Sequence, residues 1–205
     1  MTDTLLVENP WQVLREYTDA RIGLGRAGVS LPTRAHLEFQ LAHARARDAV
    51  HLPLDFVQLQ QDLEQTLLQA GLKGPVLKLA SQANDRPQYL QRPDYGRQLS
   101  VASREWLAQW LTDSQPAVFD IVIVVADGLS SLAVQRHAAP LLGSLLASLA
   151  DTPLRVGPVV MVEQGRVAIG DPIGEILKAR MLVMLIGERP GLSSPDSLGI
   201  YFTWQ

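Results

Sequence analysis

The sequence predicts an α/β protein: a Rossmann-like, mostly parallel sheet with helices on both faces, preceded by a small all-helical N-terminal unit. Three observations carry this expectation. The runs Phe119–Ala126 (Asp120 apart), Val156–Val162 and Met181–Ile186 are apolar without alternation and rich in β-branched residues, the pattern of strands buried on both faces. Helical stretches separate them, and strand–helix–strand–helix–strand is the order of a doubly wound sheet. No strand-like run precedes Val76, so residues 1–85 are read as the helical unit and 86–205 as the Rossmann-like domain.

Each element follows from local chemistry. Asn9 is a helix cap and Pro10 fills the first helical position, followed by Val13, Tyr17 and Ala20 on one face and an end at Gly23 and Gly25. Pro32 or Thr33 opens a second helix with Leu37, Leu41 and Ala44 in register. A third begins near Asp55, carries the stripe Phe56, Leu59, Leu63 and Leu67, and stops at Gly71. The run Pro75–Ala80 is a first strand or a linker, and the polar stretch Asn84–Tyr89 is a turn at the domain boundary. A helix then crosses Trp106, Leu107, Trp110 and Leu111. Its two tryptophans are core at helical spacing, or else a contact for a partner. After Phe119–Ala126, the Asp127–Gly128 turn leads into a helix reaching Ala150 that is kinked or broken before Pro140. Pro172–Ala179 is the next helix, with Asp171 capping it, and Gly199–Trp204 is a last strand.

Composition excludes several classes of function. The chain has 205 residues, 47% of them hydrophobic and 19% charged, so it can bury a substantial core and is not globally disordered. The net charge is −3 and neither half carries a basic excess, so no nucleic-acid partner is expected. There is no cysteine, which removes disulfides, thiolate metal sites, iron–sulfur clusters and a cysteine nucleophile. Met1–Pro10 has no basic and apolar leader pattern, and the clean apolar runs Ile121–Ala126 and Met181–Ile186 are too short to span a bilayer. A soluble protein with no membrane partner is expected.

Most motifs reduce to structure. Gly23, Gly25 and Gly28 match G-x-G-x-x-G, but no strand precedes them and a proline loop follows; they connect two helices and do not bind a dinucleotide. His36, His43 and His51 are spaced by 7 and 8, and His137 stands alone, so no metal site is expected. Ser130 and Ser131 have no histidine arranged to activate them. Asp127–Gly128 divides evenly between a polar group at a strand end and a tight turn with a cap. Two loops carry more. Glu163–Val167 follows one buried strand and Gly187–Gly191 follows another, and open α/β sheets bind ligands outside the carboxyl ends of their strands. Glu188 is there either an acceptor for hydroxyl or amide groups of a ligand or half of an exposed pair with Arg189.

These same loops carry a resemblance. Gly165–Glu175 and Leu185–Gly199 resemble the small (light) subunit of ethanolamine ammonia-lyase, as do Ala20–Gly28, Pro32–Thr33, His43–His51, Arg92–Arg97 and Ala126–Ser130. The resemblance covers nearly the whole chain. It implies a carbon–nitrogen lyase that uses adenosylcobalamin (coenzyme B12) to convert ethanolamine to acetaldehyde and ammonia. It further implies a large-subunit partner that is a TIM barrel with the substrate pocket, and a small subunit that closes over the cobalamin. The family's cobalamin contacts fall on Val167 and Glu188, and no catalytic residue is expected on this chain. Family members continue past Trp204–Gln205 and make a further contact through a cysteine, which this chain does not have. The expected location is the cytoplasm, with a bacterial microcompartment as the alternative; the short N-terminus favours the former. Two other functions remain open: a stand-alone α/β nucleotide-binding enzyme, and a purely structural assembly subunit.

Overall fold

A computed structural model describes residues 6–114 and 118–204; the beginning of the stretch weighed as a leader, residues 1–5, and residue 205 at the other end lie outside the described residues. The strongest sequence signals build the centre. β3 (Val76–Ala80), β4 (Ile121–Ala126), β5 (Val156–Glu163), β6 (Met181–Gly187) and β7 (Leu198–Trp204) form one sheet in the order β3-β5-β4-β6-β7. The first four are parallel and β7 runs antiparallel to β6. All six residues of β4 are buried, because helices cover both faces. Val122, Val124 and Ala126 point to one core, which α4 (Val101–Ser114) and α6 (Gly170–Leu177) complete through Leu107, Ile173 and Leu177. Ile121, Ile123 and Val125 point to the other, completed by α2 (Phe56–Gln69) and α5 (Ser131–Leu149). Burying each large aliphatic side chain in these layers contributes about 1.5–3 kcal/mol.

The stripe Leu59, Leu63 and Leu67 is buried against α5 as its spacing requires, and Asp55 caps α2 by accepting from the Gln58 amide at 3.0 Å. Pro75–Ala80 resolves as strand β3, paired with β5. Four local expectations need correction. Asn84–Tyr89 is not only a turn: Asp85 caps a helix, α3 (Arg86–Gln91). The first helix is a 3-10 segment, Pro10–Glu16, with no buried residue, and it sits between two-residue strands β1 (Leu6–Val7) and β2 (Arg26–Ala27) that pair with each other. Gly25, at φ +75°, passes so close to β1 that a Cβ would stand 2.7 Å from the Val7 carbonyl oxygen. α5 is not broken at Pro140, which stands exposed within the continuous helix. Asp171 lies inside the first turn of α6 and makes no cap there. The second expected helix is α1 (Thr33–His51), but Leu37 and Leu41 are 58% and 53% exposed, and Ala35 and Ala49 are its buried residues. Among the described residues no helix is long and apolar enough to cross a membrane.

Candidate functional site

The chain leaves β4 toward β5 on one side and β6 lies on the other, so the loops at the carboxyl ends of β4, β5 and β6 face a common crevice. Asp127, the residue after β4, is buried and holds these loops. Its Oδ1 accepts from the Gly128 and Gly165 amides at 3.0 Å each, and its Oδ2 from the Gln164 amide at 3.1 Å. Gln164 has φ +54°, a conformation that a residue with a Cβ adopts only when its surroundings hold it. Arg86 Nη1 lies 3.6 Å from Asp127 Oδ2. Burial pushes the Asp127 carboxyl up to about 6, against the pull of Arg86 and the three amides. The even choice at Asp127–Gly128 thus falls to structure: the carboxylate is spent on the loops, and Ser130 caps α5 by accepting from the Ala133 amide at 3.2 Å.

Close backbone approach shapes the crevice. Leu129 N–H donates to the Gly187 carbonyl at 2.8 Å, and a Cβ on Gly187 would stand 2.6 Å from the Asp127 carbonyl oxygen. Only glycine fits between these loops. Beside this contact lies a cleft of about 170 Å³, walled by Gly128 and Leu129 after β4, Arg166 and Val167 after β5, Ile186, Gly187 and Glu188 of β6 and its end, and Tyr89 of α3. The two residues singled out from the sequence, Val167 and Glu188, are therefore brought to one cleft. Val167 is 38% exposed and opens the 3-10 turn Val167–Ile169.

The remaining wall was not foreseen. Tyr89 is buried, donates from Oη to the Gly165 carbonyl at 3.2 Å, and lies under two guanidinium groups, Arg166 at 4.5 Å and Arg86 at 4.8 Å from the ring centre. Burial, reinforced by Asp127, raises its phenol to about 12. Arg166 donates from Nη2 to the Tyr89 carbonyl at 3.0 Å and from its amide to the Gly96 carbonyl at 2.8 Å. This contact accounts for the Arg92–Arg97 segment: Arg92 holds Asp94 at 2.6 Å and covers the Tyr95 ring, and Gly96 packs so closely that a Cβ would meet Tyr89 and Arg166 at 3.0 Å. No spacing rule exposes Tyr89, because its hydrogen-bond partners Gly165 and Arg166 come from more than 70 positions away.

At the opposite wall the Glu188 amide donates to the Ser197 carbonyl at 2.9 Å, closing the loop that leads to β7. Its Oε1 accepts from Tyr201 Oη at 2.6 Å, and this hydrogen bond raises the Tyr201 phenol above its ordinary value. A larger, shallow groove of about 720 Å³ lies between α2 and α5, lined by amide and small side chains together with Asp62 and Arg136, and shares no residue with the cleft. Trp110 of α4 packs on the core while Trp106 is 47% exposed. Among the described residues no group of histidine and carboxylate side chains is arranged to hold a metal ion.

Comparison with known proteins finds the sequence similar to one family. The family model described as ethanolamine ammonia-lyase light chain (EutC) matches residues 8–205. A protein of Ralstonia nicotianae named ethanolamine ammonia-lyase small subunit is 55% identical over 203 residues, covering 99% of this chain and 73% of its own length. Proteins of the same name from Azotobacter vinelandii and Pseudomonas fluorescens are 59% and 56% identical, each over 96% of this chain and 70% and 69% of their own lengths.

Proposed function

The chain belongs to the ethanolamine ammonia-lyase light-chain family, and from that premise we propose that it closes the adenosylcobalamin site of an ethanolamine ammonia-lyase against a catalytic large subunit. The observation that carries the reading is the meeting of Val167 and Glu188 on one cleft at the carboxyl ends of parallel strands. The cleft fits part of a corrinoid. Its roughly 170 Å³ falls short of the approximately 300–1,000 Å³ that encloses a drug-sized molecule, and a corrinoid is larger still. This chain would therefore hold an edge, with another polypeptide covering the rest.

The residues suit that edge. The cofactor's periphery is mostly neutral amides and hydroxyls, and Glu188 offers a carboxylate acceptor to one such donor. Val167 offers apolar contact and main-chain groups, at a turn brought close by Gly165 and fixed by Asp127. Gly128 and Gly187 keep the floor free of side chains. When bound, adenosylcobalamin supplies the radical chemistry by opening its cobalt–carbon bond. The part played by this chain is to position the cofactor and exclude water, so no catalytic residue is assigned to it and the substrate pocket is assigned to the large subunit. The proposed setting is the cytoplasm or a bacterial microcompartment.

A nucleotide-binding enzyme is the weaker reading. The amino end of α5, where such a fold would seat a phosphate, is taken by the Ser130 hydroxyl, which also donates to the Pro195 carbonyl at 2.8 Å. The test is co-expression with a cognate large subunit, followed by cobalamin titration and assay of acetaldehyde release. Glu188→Ala is expected to weaken cobalamin binding about tenfold or more, the loss of a hydrogen bond to a charged group. Unchanged affinity would remove Glu188 from the site.

A further inference from the structure

β7 adds to this site something that the β6–β7 loop alone does not. Its residues alternate between the sheet faces, and Gly199, Tyr201 and Thr203 share the face of their partners Ile186, Met184 and Leu182, on the α6 side. The Glu188 side chain folds back onto that face. A Cβ on Gly199 would overlap Glu188 Oε1 and stand 2.9 Å from its Cδ, so the carboxylate lies directly over the glycine. Tyr201, two residues on, donates its hydroxyl to the same Oε1 at 2.6 Å. Among the described residues Oε2 accepts no other hydrogen bond.

We propose that Gly199 and Tyr201 form a clamp that fixes the Glu188 rotamer before ligand arrives and occupies one of its two oxygens. The inference rests on the reading of Glu188 as a cobalamin contact and makes Tyr201 a positioning residue that acts through Glu188. Two physical consequences follow. A loop glutamate otherwise loses rotamer freedom on binding, and a carboxylate already held in place binds more tightly for that reason. With Oε1 already holding the Tyr201 hydroxyl, Oε2 is the less encumbered oxygen, and the group suits a single N–H or O–H donor such as an amide or ribose hydroxyl.

The experiment titrates the full chain, assembled with its large subunit, with cyanocobalamin, a corrinoid that does no radical chemistry, and reads binding by absorbance. Tyr201→Phe keeps the ring and removes the donor; about fivefold weaker binding is expected, in the range of a single hydrogen bond. Gly199→Ala pushes the carboxylate off its seat and is expected to weaken binding at least as much, with the melting temperature of each variant checking that the fold persists. The deciding measurement repeats both changes in a Glu188→Ala background, where neither should alter affinity further. If Tyr201→Phe binds like the parent while Glu188→Ala does not, the clamp is wrong and the cofactor contact stands. If Tyr201→Phe or Gly199→Ala weakens binding equally with and without Glu188, those residues act independently of it and the clamp is again overturned. If Glu188→Ala itself has no effect, the site reading falls, and the clamp with it.

Discussion

Asp127 shows how one side chain can organise a crevice without touching a ligand. Its two oxygens gather amides from its own turn and from the β5–α6 loop 37 and 38 positions away, and Arg86 joins this centre to the Val50 and Gly128 carbonyls at 2.7 Å each. Asp127→Asn replaces one acceptor with a donor facing a donor and leaves Arg86 without its counter-charge. The expected loss is about 3 kcal/mol in urea-induced unfolding. The pH dependence has an unusual sign. Burial raises the folded-state value to about 6, above the ordinary 3.8, so between these values the folded chain binds more protons than the unfolded one. The stability contributed by Asp127 is complete below about pH 4, declines as pH rises through about 6, and is level above; in Asp127→Asn that decline should vanish. The sequence left this residue undecided because nothing local distinguishes a carboxylate that awaits a ligand from one already occupied by remote amides. The loops that bring Val167 and Glu188 to one cleft were legible in the strand pattern, whereas the contacts of Tyr89 and Tyr201 were not, since their partners are set by tertiary structure.

Elements were legible wherever burial was two-sided or a stripe was packed. β4, β5 and β6 were readable because each buries both faces and its composition says so. α2 was readable because Leu59, Leu63 and Leu67 repeat at helical spacing and α5 covers them. The same rule found the helix α1, but there Leu37 and Leu41 repeat as regularly and face outward, and at Pro10–Glu16 the cap is real but the segment is a 3-10 helix with no buried residue. Amphipathic spacing reports a face that wants covering, and only tertiary structure says whether it is covered. This distinction is measurable. Leu63→Ala opens a cavity between α2 and α5 and is expected to cost about 2–5 kcal/mol, while Leu37→Ala should change the stability of the isolated chain by less than about 0.5 kcal/mol. Comparable losses at the two positions, read from denaturant midpoints, would mean that α1 is packed in solution.

At the scale of the molecule, the first 85 residues divide their roles. α2 and β3 are joined to the second half through one core and one sheet, while the segment before α2 leaves Leu6, Val7, Trp11, Val13, Tyr17, Leu37 and Leu41 exposed. So many exposed apolar side chains within one segment of the chain suggest a place of association. The cleft makes a parallel demand, because it holds only an edge of the proposed cofactor. A second polypeptide lying over this chain would account for both features, and the large subunit proposed above is the candidate for it. Purified alone, the chain is then expected to self-associate with rising concentration in analytical ultracentrifugation. Co-expression with the large subunit should yield a single species and a higher soluble fraction, since binding that involves only the folded state stabilises it by mass action. Replacing Trp11, Leu37 and Leu41 together with polar residues should reduce self-association and weaken assembly with the large subunit, without lowering the melting temperature of the chain alone. A parent chain that stays monomeric at all concentrations, or a triple variant that assembles as well as the parent, would place the docking face elsewhere on the molecule.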